Sequence, residues 1–480
     1  DMDRRFTAGF AFALVVVLAL VVIVGPWPTV RSTRRTLERP LDRAVAAIEA
    51  RSLRVDGAGG LAVGWASEPL NLSPGTPLAG YGERRGVAAT GYRDRIEVGA
   101  VVVESGGGAG RDAVEGGRRA RSASGVTVAI VTADLLVVPP AIARRVREAA
   151  GMPVLFTATH TYSGPGAAMP GLIARAFGGR YRPAVKMAIV DAMVIAIERA
   201  AGNLQPAAVA LRSVAAGDLI RNRTRDESAT GYLVDPWLDL VAFEAADGSR
   251  AALVRYSAHP TIIGPGNLEF SAGYPGALRR AVEEREGGAA FFAGGALGSM
   301  GPVPPEGGDD FSRAARYGEA LAVRLTGTVP RRGEAAVSTG AGDDAALGVV
   351  DLNIFAPPLQ LRVAPGVRLS PVLLGLNGVT RRVRVTAIRL GNAVLVGVPG
   401  DLSGEIAAGL REWASKRGVD LLLFSFSGAY LGYISPDADY DELYDGGSLA
   451  YETGIMSWTG PAQERFFSGV VRAAVTALVD

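Results

Sequence analysis

Short apolar runs alternate with amphipathic stretches along most of this chain, and the alternation predicts strands and helices in turn. Residues 126–138 and 153–159 are apolar enough to be buried strands, and residues 141–151 between them have the spacing of a helix. Residues 180–203 have an apolar face at helical spacing and stop at a Gly-Asn pair, a typical helix ending. Further strands are predicted at 251–258, 289–295, 360–365, 382–390, 393–399 and 420–428, and further helices at 276–288, 311–327, 403–418 and 463–480. This order predicts a layered α/β catalytic domain built on a mixed sheet.

The N-terminus has a different pattern, because residues 6–25 form about twenty uncharged apolar residues in a row. A helix of that length can cross the hydrocarbon core of a membrane. Two arginines precede the run, and the Pro-Trp-Pro segment 26–28 closes it with residues suited to the membrane interface. We therefore predict one N-terminal transmembrane helix that anchors an extracytoplasmic domain. A cleaved signal peptide is the alternative.

The chain is expected to have three parts. The first is the transmembrane anchor, residues 1–30, and the second is a stalk, residues 31–60, whose apolar spacing predicts an amphipathic helix. The third is a single domain, residues 61–480. Gly-rich polar stretches at 105–125 and 331–348 are predicted to be loops within this domain.

Composition excludes several functional classes. The chain has 480 residues, of which 48% are hydrophobic and 20% charged, so it can bury a large core. Its net charge is +2, and basic residues are interspersed with acidic ones, so no nucleic-acid-binding surface is expected. The absence of cysteine excludes disulfides, thiolate metal sites and a cysteine nucleophile.

Two histidines occur in the whole chain, and each follows an apolar strand. His160 follows the strand predicted at 153–159, and His259 follows the strand at 251–258. In open α/β sheets, ligands bind beyond the carboxyl ends of the strands. Asp401 follows another predicted strand, and a tyrosine-containing segment, 429–435, follows a fourth. Two imidazoles, a carboxylate and a phenol suit zinc, which can activate a water and polarise a carbonyl.

Each of these residues also has a simpler interpretation. The histidines are then incidental loop residues, and Asp401 caps the helix predicted from Ser403. Tyr433 is then an aromatic residue packed under a loop.

Several short motifs resemble those of the neutral (non-lysosomal) ceramidase family and occur in the family's order. They are THTYSGPG at 159–166, NRT at 222–224, SAHPT at 257–261, GVPGD at 397–401, and AYLGYIS at 429–435 followed by YDGGSLAYETG at 444–454. The first is a specific signature, because family members have THTHSGPG at that place. The order of the others makes the set specific, and the resemblance covers about residues 65–460.

Members of this family are zinc amidases that cleave the N-acyl bond of ceramide into a fatty acid and a sphingoid base. The resemblance implies that zinc is bound by His160, His259, Asp401 and Tyr433. It also implies that Arg223 and Tyr444 lie beside the scissile amide. There they would stabilise the negative charge that develops on the amide oxygen, a role in which fixed donors contribute strongly.

The chain departs from the family pattern at several positions. Tyr162 stands where the family has the second histidine of THTH, so a phenol replaces an imidazole as a candidate catalytic group. Asp401 replaces a glutamate and is one methylene shorter, and Glu405 is an alternative ligand four residues on. Gly301 stands in place of a serine.

The leading hypothesis is a membrane-anchored, zinc-dependent amidase that acts on ceramide or a related N-acyl lipid, with the membrane and that lipid as its partners. One alternative is a zinc hydrolase of another envelope amide or ester. The other is a degenerate relative that binds a lipid or a partner without turnover, which the loss of the second histidine and the serine leaves open.

Overall fold

In the computed structural model, strands and helices alternate through most of the chain, as the hydrophobic pattern predicts. The structure describes residues 14–55, 60–73, 75–105, 125–228, 232–327, 346–441, 444–445, 448–449 and 451–480. Within these residues lie a larger and a smaller mixed sheet, with helices against their outer faces. The predicted layered α/β architecture with a mixed sheet is present.

The larger sheet has eight strands. Their order across the sheet is Ala289–Gly294, Arg250–Tyr256, Trp237–Ala245, Gln205–Ala215, Leu61–Pro69, Glu97–Ser105, Thr127–Ala133 and Val154–Ala158. The first two strands of this order are parallel to each other, and so are the last two, whereas the pairs between them are antiparallel. Each parallel pair therefore lies at one edge of the sheet.

The smaller sheet has five strands. Their order is Leu53–Val55, Leu347–Phe355, Arg382–Leu390, Ala393–Gly397 and Asp420–Phe424. The last two strands are parallel and the others are antiparallel. A helix, Gly404–Ser415, connects the parallel pair, as a crossover between parallel strands requires.

The two sheets pack face to face. One buried cluster combines apolar side chains of the larger sheet with apolar side chains of the smaller one: Val101, Ile130, Leu155 and Phe291 on one side, and Val349, Ile388, Leu395 and Leu422 on the other. Because side chains alternate along a strand, the neighbouring residues of both sheets point outward to the helices.

Helices cover both outer faces, so the molecule has four layers. The larger sheet is covered by Pro140–Ala150, Pro183–Gly202, Gly273–Glu286 and Asp310–Gly327, and the smaller sheet by Arg39–Glu49, Gly404–Ser415 and Gln463–Val479. Helix Pro183–Gly202 buries Val185, Ile189, Ala196 and Ala200, which are four, seven and four residues apart and so form one face.

Short elements complete the described part of the chain. The short helices are Leu172–Gly178 and Pro371–Leu376, and the short strands are Trp27–Pro28, Gly91–Tyr92, Ile220–Asn222, Glu269–Phe270, Met300–Pro302, Arg362–Ala364, Val367–Arg368, Asp401–Leu402, Tyr433–Ile434, Tyr444–Asp445 and Ser448–Leu449. Two of these strands, Asp401–Leu402 and Tyr433–Ile434, pair with each other and carry candidate metal ligands.

The predicted transmembrane anchor and the membrane-anchored location are wrong. Among the residues described, no helix has both the length and the apolar character needed to cross a membrane. Trp27–Pro28, expected at a membrane interface, instead pairs with Val367–Arg368. Residues 6–13 of the predicted span lie outside the described residues.

Other predicted segments have mixed outcomes. In the stretch expected to be a stalk, the helix Arg39–Glu49 buries Ala44 and Ile48 in the core beside the helix Gln463–Val479. Most of the two predicted Gly-rich loops, residues 106–124 and 331–345, lies outside the described residues. The strand predicted at 126–138 ends early, at Ala133.

Candidate metal centre

Three side chains with metal-binding atoms meet where the two sheets end side by side. His160 follows the strand Val154–Ala158 of the larger sheet, and His259 follows its strand Arg250–Tyr256. Asp401 comes four residues after the strand Ala393–Gly397 of the smaller sheet. One ligand atom from each of the three residues lies within 4.8 Å of the others, and all three side chains are buried. The fold therefore brings together the two histidines and the aspartate singled out in the sequence.

Backbone carbonyl groups orient both imidazole rings. The Nδ1 atom of His160 is hydrogen-bonded to the carbonyl oxygen of Leu136, and Nδ1 of His259 lies 3.1 Å from the carbonyl oxygen of Leu297. A carbonyl oxygen only accepts, so each Nδ1 carries the proton and each Nε2 has a lone pair that can accept a hydrogen bond or bind a metal. Such a second hydrogen bond is typical of metal-binding histidines.

Several polar atoms of the centre are buried without a partner. Nε2 of His160 and both carboxylate oxygens of Asp401 have no hydrogen-bond partner within the described part of the chain. The Nε2 and Oδ2 atoms are 3.9 Å apart. A buried unpaired polar atom costs about 1–3 kcal/mol, so three at one point would be unfavourable unless a cation paired with them. Nitrogen and oxygen ligands in this arrangement fit zinc.

Burial sets the protonation states of these groups. It lowers the pKa of His160 to about 3 and that of His259 well below 6.5, so both rings are neutral at physiological pH. Burial also raises the pKa of Asp401 from 3.8 to about 7, with Arg223 opposing the shift and Glu452 adding to it. Neutral imidazoles are the form that binds a metal, whereas the carboxyl group must release its proton.

A strand pair places Tyr433 beside Asp401. Asp401–Leu402 runs parallel to Tyr433–Ile434, with Asp401 opposite Tyr433 in the register. The Tyr433 hydroxyl lowers the pKa of the Asp401 carboxyl group, although no hydrogen bond of normal geometry joins the two side chains. The phenol is thus adjacent to the three clustered ligand atoms.

Arg223 supplies a fixed positive charge at the same place. Its guanidinium donates to the Tyr433 hydroxyl at 3.0 Å, to the carbonyl oxygen of Gly298 at 2.7 Å and to Oε1 of Glu452 at 3.0 Å. Burial lowers the pKa of Arg223. The neighbouring Tyr433, Glu452 and Asp401 together raise it by more than burial lowers it, so the net shift is upward. Arg223 therefore stays charged.

Tyr162 contacts the second histidine. Its hydroxyl lies 3.0 Å from Nε2 of His259, and burial raises its pKa well above 10, so the neutral phenol donates to the imidazole. The ring of Tyr162 lies 4.6 Å from that of Tyr81. A metal that binds His259 must displace this hydrogen bond.

The centre lies at the polar end of an apolar cavity of about 140 Å³. The polar end is lined by His160, Tyr162, Asp401, Tyr430, Tyr433 and Tyr451. The walls are apolar and include Leu135, Val137, Met169, Ile173, Phe177, Val379, Met456 and Trp458. This shape suits a ligand with an apolar chain and a polar group at one end.

Comparison with known proteins identifies relatives of this chain. No family model matches it. The neutral ceramidase of Mycobacterium tuberculosis is 27% identical over 62% of this chain and 60% of that protein. The crystal structure of neutral ceramidase from Pseudomonas aeruginosa matches with a TM-score of 0.68 at 20% identity, over 88% of this chain and 75% of that one. A ceramidase complexed with C2 matches with a TM-score of 0.67 at 19% identity, over 87% and 75% of the two chains.

The chain is a divergent relative of the neutral ceramidases. The resemblance predicted from its motifs is thereby confirmed. The match spans less than two thirds of the length of the curated relative, and the solved ceramidases share the fold.

Tyr444, which the ceramidase motifs imply, and Glu405, the alternative metal ligand, have other positions. Tyr444 belongs to the short strand Tyr444–Asp445, but its side chain lies outside the described part of the structure. Glu405, the alternative ligand, accepts hydrogen bonds from Ser299 and from Asn222 and lies 3.6 Å from Arg225. Its carboxylate is therefore engaged away from the three clustered ligand atoms.

Gly301, at the position where ceramidases have a serine, has room for a side chain. Gly301, in the strand Met300–Pro302, lies beside Arg223, and a Cβ atom there would be 3.5 Å from the Cβ of Arg223. That distance is an ordinary van der Waals contact, so a serine would fit. The backbone is thus compatible with the family's residue, and this chain lacks its hydroxyl.

Sequence reasoning missed Phe426 and Glu452. The ring of Phe426 stacks on that of His160 with centroids 4.1 Å apart and an angle of 6° between the planes. Phe426 and His160 both have a positive φ, 61° and 58° respectively. Non-glycine residues rarely adopt this conformation, and those that do occur often at functional sites. No sequence signal predicted this stacking, whereas Glu452 stands within the quoted motif at 444–454 but was given no role.

Proposed function

We propose that this protein is a metal-dependent amidase that hydrolyses the N-acyl bond of ceramide or a related N-acyl lipid. One observation carries the proposal. The three buried, unpartnered atoms of His160 and Asp401 face each other at the polar end of an apolar cavity. The similarity to ceramidases supports the substrate class.

His160, His259 and Asp401 would hold the metal, with Tyr433 as the fourth ligand. When bound, zinc would supply a water of lowered pKa and polarise the amide carbonyl. The carbonyl groups of Leu136 and Leu297 fix the direction of the two Nε2 lone pairs before any metal arrives.

The remaining residues of the centre would act on the substrate. Arg223 provides a positive charge beside Asp401 and would steady the negative charge that develops on the amide oxygen. Tyr162 keeps its proton and can donate it in a hydrogen bond within the centre. We propose the same role for Tyr444 as for Arg223. The apolar walls would receive the acyl chain and exclude water from the reacting bond.

The hydrogen bond between Tyr162 and His259 favours one alternative, a lipid-binding relative without turnover. If that hydrogen bond persists in the cell, Nε2 of His259 is not available to bind a metal. The apolar cavity would then hold a lipid that is bound and not cleaved.

Metal content and substrate specificity test the proposal together. We expect about one zinc ion per purified chain, measured by mass spectrometry, and its loss in His160→Ala and Asp401→Asn. Glu405→Gln is the matched control, because that carboxylate is engaged elsewhere, and it should retain zinc. The wild type should release fatty acid from a short-chain fluorescent ceramide.

The results separate the alternatives. A chain without stoichiometric zinc would contradict the metal centre itself. Zinc with turnover of N-acyl amino acids or esters but not of ceramide would assign the protein to another hydrolase class. Zinc or lipid binding with no turnover of any of these substrates would favour the lipid-binding relative.

A further inference from the structure

A second cavity, of about 900 Å³, lies between a helix and a sheet. The helix Pro140–Ala150 forms one wall, and the strands Leu347–Phe355 and Arg382–Leu390 of the smaller sheet form the other. The lining residues are three and four apart on the helix and alternate along the strand Leu347–Phe355, whereas the other strand contributes its first three residues. The cavity therefore lies between one face of this helix and the smaller sheet.

Arginine side chains dominate the charge of this second cavity. The charged residues that line it are Arg51, Arg144, Arg147, Arg382 and Arg384, against Glu148 and Asp351. Five guanidinium groups against two carboxylates leave an excess of positive charge. Such an excess of positive charge favours the binding of an anion.

The two carboxylates are already paired. Asp351 accepts two hydrogen bonds from Arg384, at 2.7 and 2.6 Å, and one from Thr386 at 2.9 Å. Glu148 lies 3.8 Å from Arg144, one turn earlier in the same helix. The hydrogen bonds and ion pairs of both carboxylates with the arginines of the cavity are thus made to Arg384 and Arg144.

Those three arginines have no carboxylate partner among the residues that the structure describes. Arg51 and Arg382 are exposed at the cavity, and neither side chain has a hydrogen bond in the described part of the chain. Arg147 is more buried: it donates one hydrogen bond, to the carbonyl oxygen of Val154 at 3.3 Å, and its Nε atom has no partner. Burial lowers its pKa to about 10, so it still carries its charge at neutral pH.

We propose that this arginine-lined cavity binds a phosphate oxyanion. A guanidinium group presents parallel N–H donors that match two oxygens of one phosphate, and several such groups around one cavity are typical of phosphate recognition. The phosphate can be free in solution or belong to a lipid head group. The lipid source fits because the two cavities adjoin: Pro140, Gly378, Thr380 and Ala429 line both this cavity and the apolar one. A phospholipid chain in the apolar cavity would have its head group near the arginines.

Calorimetric titration and vesicle binding test the proposal with one pair of variants. The test variant is Arg51→Gln/Arg382→Gln, which removes two exposed, unpaired charges and leaves the packed Arg147 in place. The matched control is Arg54→Gln/Arg145→Gln, two exposed arginines on the strand Leu53–Val55 and the helix Pro140–Ala150 that do not line the cavity. Each double variant loses two positive charges. Titrations at one ionic strength give all variants the same screening of their charges by salt.

One arm uses inorganic phosphate and the other uses vesicles of phosphatidylcholine with or without phosphatidylglycerol. The proposal predicts that the test variant binds at least about tenfold more weakly than the control and the wild type in one arm. Weakening with inorganic phosphate identifies a free anion, and weakening only with the phosphatidylglycerol vesicles identifies a lipid head group. Equal binding of the test and control variants in both arms would overturn the proposal. Neither arm requires zinc, so this result is independent of the proposed amidase.

Discussion

Ionisation of the buried Asp401 carboxyl group lowers the stability of the metal-free protein. Its pKa of about 7 in the folded chain lies above the value of 3.8 expected of an exposed aspartate. Between these two values the folded state binds more protons than the unfolded state. The stability of the metal-free protein should therefore fall as the pH rises from about 4 to about 7, as far as this group determines it.

Asp401→Asn is expected to stabilise the metal-free protein while abolishing zinc binding. Asparagine has nearly the same shape and carries no charge, so the free energy of unfolding should rise by about 1–3 kcal/mol at pH 8. At pH 3, below both pKa values, the wild-type carboxyl group is protonated in the folded and the unfolded state, and the difference should nearly vanish. Urea denaturation with a chelator at both pH values measures this. A variant that is less stable than the wild type at pH 8 would contradict the pKa shift of Asp401.

Tyr162→Phe should raise the affinity for zinc. The hydroxyl of Tyr162 donates to Nε2 of His259, the atom that a metal must reach. Removing one hydrogen bond of about 1 kcal/mol should strengthen binding about fivefold, measured by competition with a zinc chelator. Tyr81→Phe is a suitable control, because its ring contacts Tyr162 while its hydroxyl donates to Ile263. Weaker zinc binding in Tyr162→Phe would instead indicate that this phenol helps to hold the metal.

Glu452 positions Arg223, since the two side chains form an ion pair of 3.0 Å beside the centre. Glu452→Gln should lower kcat on the fluorescent ceramide by about tenfold to a hundredfold, because the guanidinium loses its charged anchor. Zinc affinity should not fall, since removing this negative charge lowers the pKa of Asp401. Glu412→Gln, an exposed glutamate paired with Lys416, is the control. An unchanged kcat would contradict a positioning role.

At the scale of elements, the alternating pattern was sufficient to predict most strands and helices, but it misplaced the end of one strand. Apolar residues continue from 126 to 138, whereas the strand ends at Ala133. Asp134 turns the chain, because its buried carboxylate accepts from the backbone of Glu97 and from Arg279. The apolar residues after it line the cavity, and Leu136 provides the carbonyl group for His160. Hydropathy does not distinguish a buried strand from the wall of a cavity.

The candidate site was predictable where its residues follow strands and not where contacts are made across the fold. His160, His259 and Asp401 each follow an apolar strand, so their meeting could be expected from the topology of α/β sheets. Phe426 reaches the centre because its backbone adopts a positive φ. Glu452 reaches it through an ion pair with Arg223, which lies far away in the sequence. Neither has a local pattern in the sequence.

The strand pair that carries Asp401 and Tyr433 depends on a glycine. Gly432 has a φ of 79°, and a Cβ atom there would lie 1.8 Å from the carbonyl oxygen of Met456. Gly432→Ala should therefore destabilise the fold by at least about 2 kcal/mol in urea denaturation and weaken zinc binding. Gly409→Ala, at an exposed helical glycine with no neighbour within 4 Å, should stabilise by about 0.5–1 kcal/mol. Equal effects of the two substitutions would show that the strand pair tolerates a side chain.

At the scale of the whole molecule, the proposed metal would link the two sheets. His160 and His259 follow strands of the larger sheet, whereas Asp401 and Tyr433 follow strands of the smaller one. The sheets already share an apolar interface, so the metal is not needed to bring them together. Its binding energy adds to the stability of the packed state, because the unfolded chain does not hold these ligands in place.

Zinc should consequently raise the free energy of unfolding by about 3–4 kcal/mol when its free concentration exceeds the dissociation constant by about 100- to 1000-fold. His160→Ala and Asp401→Asn remove a ligand from opposite sheets, and each should lose this entire increment, because the proposed site takes ligands from both sheets. A partial loss in one variant would mean that the ion is held mainly by one sheet. Thermal unfolding of the wild type and both variants, with zinc and with chelator, distinguishes these outcomes. Glu405→Gln, whose carboxylate is engaged by Ser299 and Asn222, should keep the increment and so serves as the control.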